Sequence, residues 1–383
     1  MSARASASLQ SITEYFDELP DPRSEVNREH LLVDVIVISI CAILAGADGP
    51  TAIAVWAQSP TVTAWLRKHL ALPHGIPSKD TFRRVLQRLR PAAFQQCFQA
   101  WLQSLVGVEG VRFLAVDGKT LRRSHDRKHQ LGALHSVSVW ATEQHLTLAQ
   151  VMTAEKSNEI TAIPQVLDLV DLQGAVVTID AMGCQTAIAA QIVDGGGDYV
   201  LPVKGNQGLL EQAVTDFFTE HLEDDFARVK VSRLETTATH HGRGETRSYF
   251  QVDVPPDLPG IQRWKGLRTL GLVVRTREIE GRETSEIQCS ISSLKRNVRL
   301  FAQASRGHWG IENTCHWTLD MTFREDESRT RDRPLSENLA WLRRFALGLL
   351  KQHPDPKTSL VMKRRKAGWC LSFLAEVLFK SKS

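Results

Sequence analysis

The chain has 383 residues, 42% of them hydrophobic and 23% charged, which is enough for a sizeable core and excludes a globally disordered protein. Its net charge of +4 is mild, so any nucleic-acid surface must come from local clustering of Lys and Arg. The six cysteines, at 41, 97, 184, 289, 315 and 370, form no CxxC pair and no zinc spacing, and no apolar stretch follows Arg4, so the expectation is a reduced, cytosolic protein without a secretory signal.

Residues 1–105 read as helical, with turn punctuation at Leu19-Pro20-Asp21-Pro22, Gly46 to Pro50 and Leu72 to Pro77. The most apolar segment, Val33 to Ala47, carries Asp34 and is too short for a membrane span, so it reads as a buried core helix. In PSKDTFRRVLQRL, Ser78 can cap a helix carrying Arg83, Arg84, Arg88 and Arg90. A basic second helix after a turn can enter a DNA groove, although a solvated basic face is the commoner explanation.

From Val111 the pattern turns to strands. Phe113 to Val116 form an apolar run that Asp117 ends, and Lys119, Arg122 and Arg123 follow. His135 to Thr142 and Leu146 to Thr153 are two further strands. A helix follows in EKSNEITAIPQVLDLVDL, capped at Ser157 or Asn158 and kinked or restarted at Pro164.

GAVVTIDAMGCQ repeats the device of the first strand: a β-prone run, Ala175 to Ile179, ends in Asp180, with Gly183 allowing a tight turn. Taken alone, Asp180 is as readily the cap of the next helix. Two neighbouring strands each ending in an Asp, however, set two carboxylates side by side at the strand ends, where open α/β sheets bind ligands. Such a pair binds hard divalent cations, Mg²⁺ or Mn²⁺, and two ions held together can promote phosphoryl transfer. The nearby basic residues suit a site that handles phosphates.

A helix from Thr186 to Val193, a glycine-rich C-cap at Asp194 to Asp198 and a strand from Tyr199 to Val203 come next. Three meandering strands, a helix, a strand, a helix and a strand is the order of the ribonuclease H-like fold. Residues 205–300 then read as β-rich, with strands near 229–239, 246–254, 270–278 and 283–292 and a turn at Glu280-Gly281. In HHGRGETRSY, within this segment, Arg243, Glu245 and Arg247 alternate on one side of a strand, where basic side chains can track phosphates or simply pair with the acid.

Helix returns in RLFAQASRGHWGIENTCHWTLDMTF. Trp309, Asn313 and Trp317 share one stripe, with Glu312 and His316 beside it. The tryptophans could stack on a base, while core packing is the expectation for at least one of them. His308, Cys315 and His316 lack a fourth ligand at sensible spacing, so zinc is not expected. The acidic cluster Glu325-Asp326-Glu327 reads as a loop or frayed end. After it come a helix from Asn338 to Leu350 containing Arg343 and Arg344, and a basic run, Lys363-Arg364-Arg365-Lys366, read as a solvated surface that attracts phosphate.

These residues carry a resemblance. VDGKTLRRS, WATEQHLTLAQVMTAEKSNEITAIP, VVTIDAMGCQ, DYVLPVKGNQG and HWGIEN followed by HW, LD, F and ED closely resemble the H-repeat-associated group of insertion-sequence DDE transposases, as do DPR, GIPSKDTFRR and the basic C-terminal run. The resemblance implies a ribonuclease H-like α/β core interrupted by the β-rich segment. It further implies Asp117, Asp180 and Glu312 as a triad holding, in all, two Mg²⁺ or Mn²⁺ ions. The implied activity is hydrolysis of a phosphodiester at an element's end and joining of the freed 3′ hydroxyl to target DNA.

The implied partners are double-stranded element ends and target DNA, engaged as a homodimer in a nucleoid-associated setting with no membrane. The implied organisation is a helical, DNA-associated region at 1–105, the first part of the core at 106–205, the insertion at 206–300, the core's completion at 301–350 and a basic tail at 351–383. The expected DNA contacts are Arg83, Arg84, Lys119, Arg122, Arg123, Arg243, Arg247, Arg306, Trp309, Lys363, Arg364, Arg365 and Lys366. Ser305, His308 and Leu319 stand where a related group carries Tyr, Arg and Lys, leaving Arg306 as the nearby arginine. The competing readings are an immobile DNA-binding remnant and a metal-dependent nuclease without strand transfer.

Overall fold

The computed structural model describes residues 13–105, 112–153, 159–240, 243–279 and 282–379. Val111, the expected caps Ser157 and Asn158, and the expected turn at Glu280-Gly281 lie outside the described residues.

In the N-terminal region α1 (Leu32–Leu44) is buried almost all round, as a helix that is apolar on every side must be. Its Asp34 is buried too, and accepts the Leu72 amide at 3.0 Å. Helices α2 (Pro50–Ala57) and α3 (Pro60–Leu66) each begin at a proline, whose missing N–H has no cost at a helix start. Helix α4 (Lys79–Arg88) is capped as its sequence predicts, with the Ser78 hydroxyl accepting the Thr81 amide at 3.2 Å. It buries Phe82, Val85 and Leu86 and leaves its arginines outward, and α5 (Pro91–Leu105) completes the layer.

The strands form one mixed nine-stranded sheet in the order β3-β2-β1-β4-β5-β9-β8-β7-β6. β1 (Arg112–Leu121), β2 (Leu134–Ala141) and β3 (Leu146–Thr153) are an antiparallel meander. Helix α6 (Glu159–Leu167) runs on through Pro164 without a break. β4 (Ala175–Ile179) lies parallel to β1, and after α7 (Thr186–Asp194), β5 (Asp198–Pro202) lies parallel to β4. Following α8 (Gly208–Glu223), β6 (Val231–His240), β7 (Arg243–Asp253), β8 (Thr269–Ile279) and β9 (Arg282–Ser292) form an antiparallel run. β9 pairs with β5, so this β-rich stretch extends the same sheet.

Both faces of the sheet are covered, and β1 shows how alternation divides them. Leu114 and Val116 pack into the core beneath α6 and α7. Phe113 and Ala115 point the other way, Phe113 into the cluster under α9 (Val298–Gly310) and Ala115 into the core shared with the N-terminal helices. Gly271 on β8 lets α9 settle, because a Cβ there would lie 2.3 Å from the Phe301 ring.

Beyond α9 come a π turn (Ile311–His316), α10 (Trp317–Met321) and α11 (Arg333–Gln352). Most of α11 is buried between the N-terminal helices and the sheet. Its Asn338 amide donates to the Leu86 and Leu89 carbonyls at 2.8 and 3.1 Å, satisfying the otherwise unpaired end of α4.

The expected basic tail is instead two packed helices, α12 (Leu360–Trp369) and α13 (Leu371–Phe379), with Phe373, Leu374, Val377 and Leu378 in the core. Lys363 and Arg364 are buried, contrary to the expected solvated run. Arg364 donates to the Ile43 and Ala47 carbonyls, each at 3.2 Å, and to the Thr322 carbonyl, and lies 4.3 Å from the centre of the Phe323 ring. Lys363 donates to the His353 carbonyl at 2.9 Å. Arg364 is drawn in because α1 ends beneath α12, where carbonyls at and just past its last turn take donors, and Lys363 serves the end of α11 in the same way. Among the described residues no helix is long and apolar enough to cross a membrane.

Candidate active site

Parallel pairing of β1 with β4 runs to Val116 opposite Ile179, so the next residues on the two strands are Asp117 and Asp180. Asp180 sits where its sequence predicts, at the end of β4, and its Oδ1 accepts the Gly183 amide at 3.1 Å as the cap of a short turn. The capping and site readings of this residue are therefore compatible. Asp117 does not end its strand, however: β1 continues to Leu121 because its pairing with β2 goes on after β4 has stopped. Its Oδ1 accepts the Gly118 amide at 2.8 Å, so both carboxylates are fixed through one oxygen by backbone.

The third acid comes from above. Helix α9 packs on β1 and β4, and the π turn that follows it touches β1. Glu312 lies in that turn, exposed, while Ile311 and Cys315 on the same turn are buried and hold it down. A wide turn of this kind shifts the side chains that follow relative to a regular helix, and such turns recur at functional sites. Burial, with the charges of Glu159, Glu312 and Asp180 added, pushes the Asp117 carboxyl up to about 7 despite the Gly118 hydrogen bond. The acids thus act on one another, although among the described residues no three His, Cys, Asp or Glu side chains are drawn together to ligand spacing.

Carboxylate oxygens are the donors that a hard divalent cation takes, and positive charge between these acids would relieve their mutual repulsion. His316 Nδ1 lies 3.4 Å from Asp117 Oδ2, and its Nε2 is buried without a hydrogen-bond partner. Burial, helped by Arg344 and Lys119, pushes this imidazole down to about 3, so it is neutral at pH 7. His308 stands 3.3 Å from the Thr178 hydroxyl on β4, pushed down to about 4 by burial; it packs α9 on the sheet and does not replace an arginine.

A family model described as Transposase DDE domain matches residues 110–349, and one described as DDE_Tnp_1-associated matches residues 13–102. The chain belongs to the DDE transposase family. Similar proteins include one named "Putative transposase YncI" from Escherichia coli O157:H7, 37% identical over 97% of this chain and 95% of its own length. Another is "H repeat-associated putative transposase YhhI" from Escherichia coli strain K12, 36% identical over 97% of this chain and 98% of its own length.

On this DDE-family chain the expected basic contacts divide. Arg83, Arg84, Arg122, Arg123, Arg306 and Arg365 are exposed and Lys366 is half-buried. Lys119 is not available to a phosphate, because it is buried and its Nζ lies 2.7 Å from Asp320, 3.0 Å from Asp326 and 3.6 Å from Glu325. Asp326, expected in a frayed end, is held in a short turn by Lys119 and by Arg122 at 3.2 Å. Arg247 takes the charge-pairing alternative, 2.7 Å from Glu245, which also binds Arg275 and Arg277. The backbone of Arg243 lies in β7, and its side chain lies outside the described residues.

Neither tryptophan of the stripe is core: Trp309 is 42% and Trp317 58% exposed, because the face of the helix that meets the sheet carries Ile311, Cys315 and Leu319 instead. Trp309 lies 5.8 Å from the Arg275 guanidinium and lines, with Lys204, Arg247 and Arg306, a cavity of about 320 Å³. Glu159 and the pairing of His316 with Asp117 were not read from the sequence, since neither stands in an apolar run ending in an acid.

Proposed function

We propose that the chain is an active DNA transposase with a ribonuclease H-like core, in which Asp117, Asp180 and Glu312 hold the catalytic cations. It hydrolyses a phosphodiester at the end of a mobile element and joins the freed 3′ hydroxyl to target DNA, acting as a homodimer on paired ends. The observation behind this reading is the β1–β4 register, which makes Asp117 and Asp180 neighbours beneath α9 and the turn that carries Glu312. Divalent cations bound by these acids would supply an activated oxygen and neutralise charge at the leaving oxygen. The chain's own residues fix the acids: Gly118 and Gly183 amides orient the two aspartates, and neutral His316 closes the buried side of Asp117.

DNA contacts are assigned to the exposed basic residues Arg83, Arg84, Arg122, Arg123, Arg306 and Arg365, with Lys366 at the margin, and Trp309 with its cationic neighbours offers a face for a nucleotide. Incubated with Mg²⁺ and the inverted repeats flanking its own coding region, the protein is expected to cut the element ends and give joined products. Cutting without joining would favour a nuclease, and binding without cutting an immobile remnant. Replacing Arg83 and Arg84 together by Ala is expected to weaken binding of all DNA sequences alike and to reduce the salt slope by roughly two. An unchanged slope in a fluorescence-anisotropy salt series would remove α4 from the interface.

A further inference from the structure

Past Val116, β1 has no strand partner on its β4 side among the described residues, so groups from the two faces of the sheet can meet around that edge. One such group is Glu159, the first residue of α6, which is buried. Its Oε2 lies 3.2 Å from His135 Nε2, and the other nitrogen of His135 lies 3.0 Å from the Thr120 hydroxyl, directly across the β1–β2 pair. The carboxylate is seated against the backbone of the residue that follows Asp117. A Cβ on Gly118 would stand 2.6 Å from Glu159 Oε1 and 2.3 Å from His135 Nε2.

Glu159 is thus a buried carboxylate set against the strand residue next to Asp117, and buried carboxylates brought close to one another are costly unless something positive lies between them. We propose that Glu159, oriented by His135, is a fourth acid of the cation site and helps to hold the divalent ion at Asp117. The inference rests on the Asp117–Asp180 reading above. It adds a residue from the opposite face of the sheet, which a three-acid description leaves out.

The test is Mn²⁺ binding to the full chain without DNA, followed by the electron paramagnetic resonance signal of free Mn²⁺. Asp117→Asn should abolish tight binding, and Glu159→Gln should weaken it by about ten- to a hundred-fold, the range found when groups that support metal ligands are removed. Wild-type affinity in Glu159→Gln, with binding lost in Asp117→Asn, would overturn the fourth acid and leave the site intact. Wild-type affinity in Asp117→Asn would overturn the site reading, and the inference with it. Should circular dichroism show that Glu159→Gln does not fold, Fe²⁺-directed backbone cleavage of the wild-type chain decides instead. Cuts near 117, 180 and 159 are expected, and cuts near 117 and 180 without any near 159 would overturn the proposal.

Discussion

Glu312→Gln is expected to lower Mg²⁺-dependent cleavage and joining by about 10³-fold or more while leaving DNA binding close to that of the wild type. A bound cation's charge stabilisation is worth several kcal/mol, and each ~1.4 kcal/mol is tenfold in rate. The substitution keeps the size and shape of the side chain while removing its charge and turning one acceptor oxygen into a donor, so a lost rate with retained binding separates a metal ligand from a DNA contact. The neighbouring acids are the natural controls. Asp320, Glu325 and Asp326 are all engaged by Lys119, and Asp326 by Arg122 as well, which leaves Glu312 as the exposed acid of this stretch that stands over β1. Single-turnover assays of Glu312→Gln and Asp326→Asn decide the assignment. Near-normal activity in the first together with loss in the second would reject the proposed triad.

Glu325→Gln is expected to destabilise the fold by about 3–5 kcal/mol, the usual cost of breaking a buried ion pair from one side. Glu325 is fully buried with Arg344 at 3.0 Å, Lys119 at 3.6 Å and Arg343 at 4.0 Å, so its neutralisation leaves three buried cations short of their common partner. Burial alone would raise its pKa, but Arg344, Lys119 and Arg343 outweigh that and hold the carboxyl below its ordinary value of 4.5. A depressed folded-state pKa means that this contribution is complete above about 4.5, the unfolded value, and is lost as pH falls through the folded one. Urea denaturation should therefore show the wild type losing stability on acidification below about pH 4.5, with a flatter response in Glu325→Gln. A loss under 1 kcal/mol at pH 7 would mean that the network is not what joins β1 to α11.

The residues that were legible in the sequence are those whose position follows from local rules. An apolar β-prone run ending in an acid correctly predicts Asp180 at a strand end, though not the course of β1 past Asp117, and a serine before a basic amphipathic stretch predicts the start of α4. The strand and helix order also follows from local pattern, which is why the sequence of elements through β5 was readable. Glu312 was chosen among four nearby acids by resemblance, since spacing along one helix does not say which carboxylate looks toward a sheet elsewhere in the chain.

Charge was where the sequence misled. Lys119, Lys363 and Arg364 are as basic in composition as Arg83, yet the fold buries all three: Lys119 against carboxylates, Lys363 against the carbonyl at the end of α11 and Arg364 against carbonyls at the end of α1. The sequence by itself determined the order of elements through β5 and the transposase family, and it singled out the two aspartates as candidates. The tertiary structure decided which cations are exposed to a phosphate, that β1 runs on past Asp117, and that Glu159 is seated against the backbone of Gly118. Those facts depend on contacts between segments far apart in the chain, and burial and pairing there are set by packing, which no local pattern encodes.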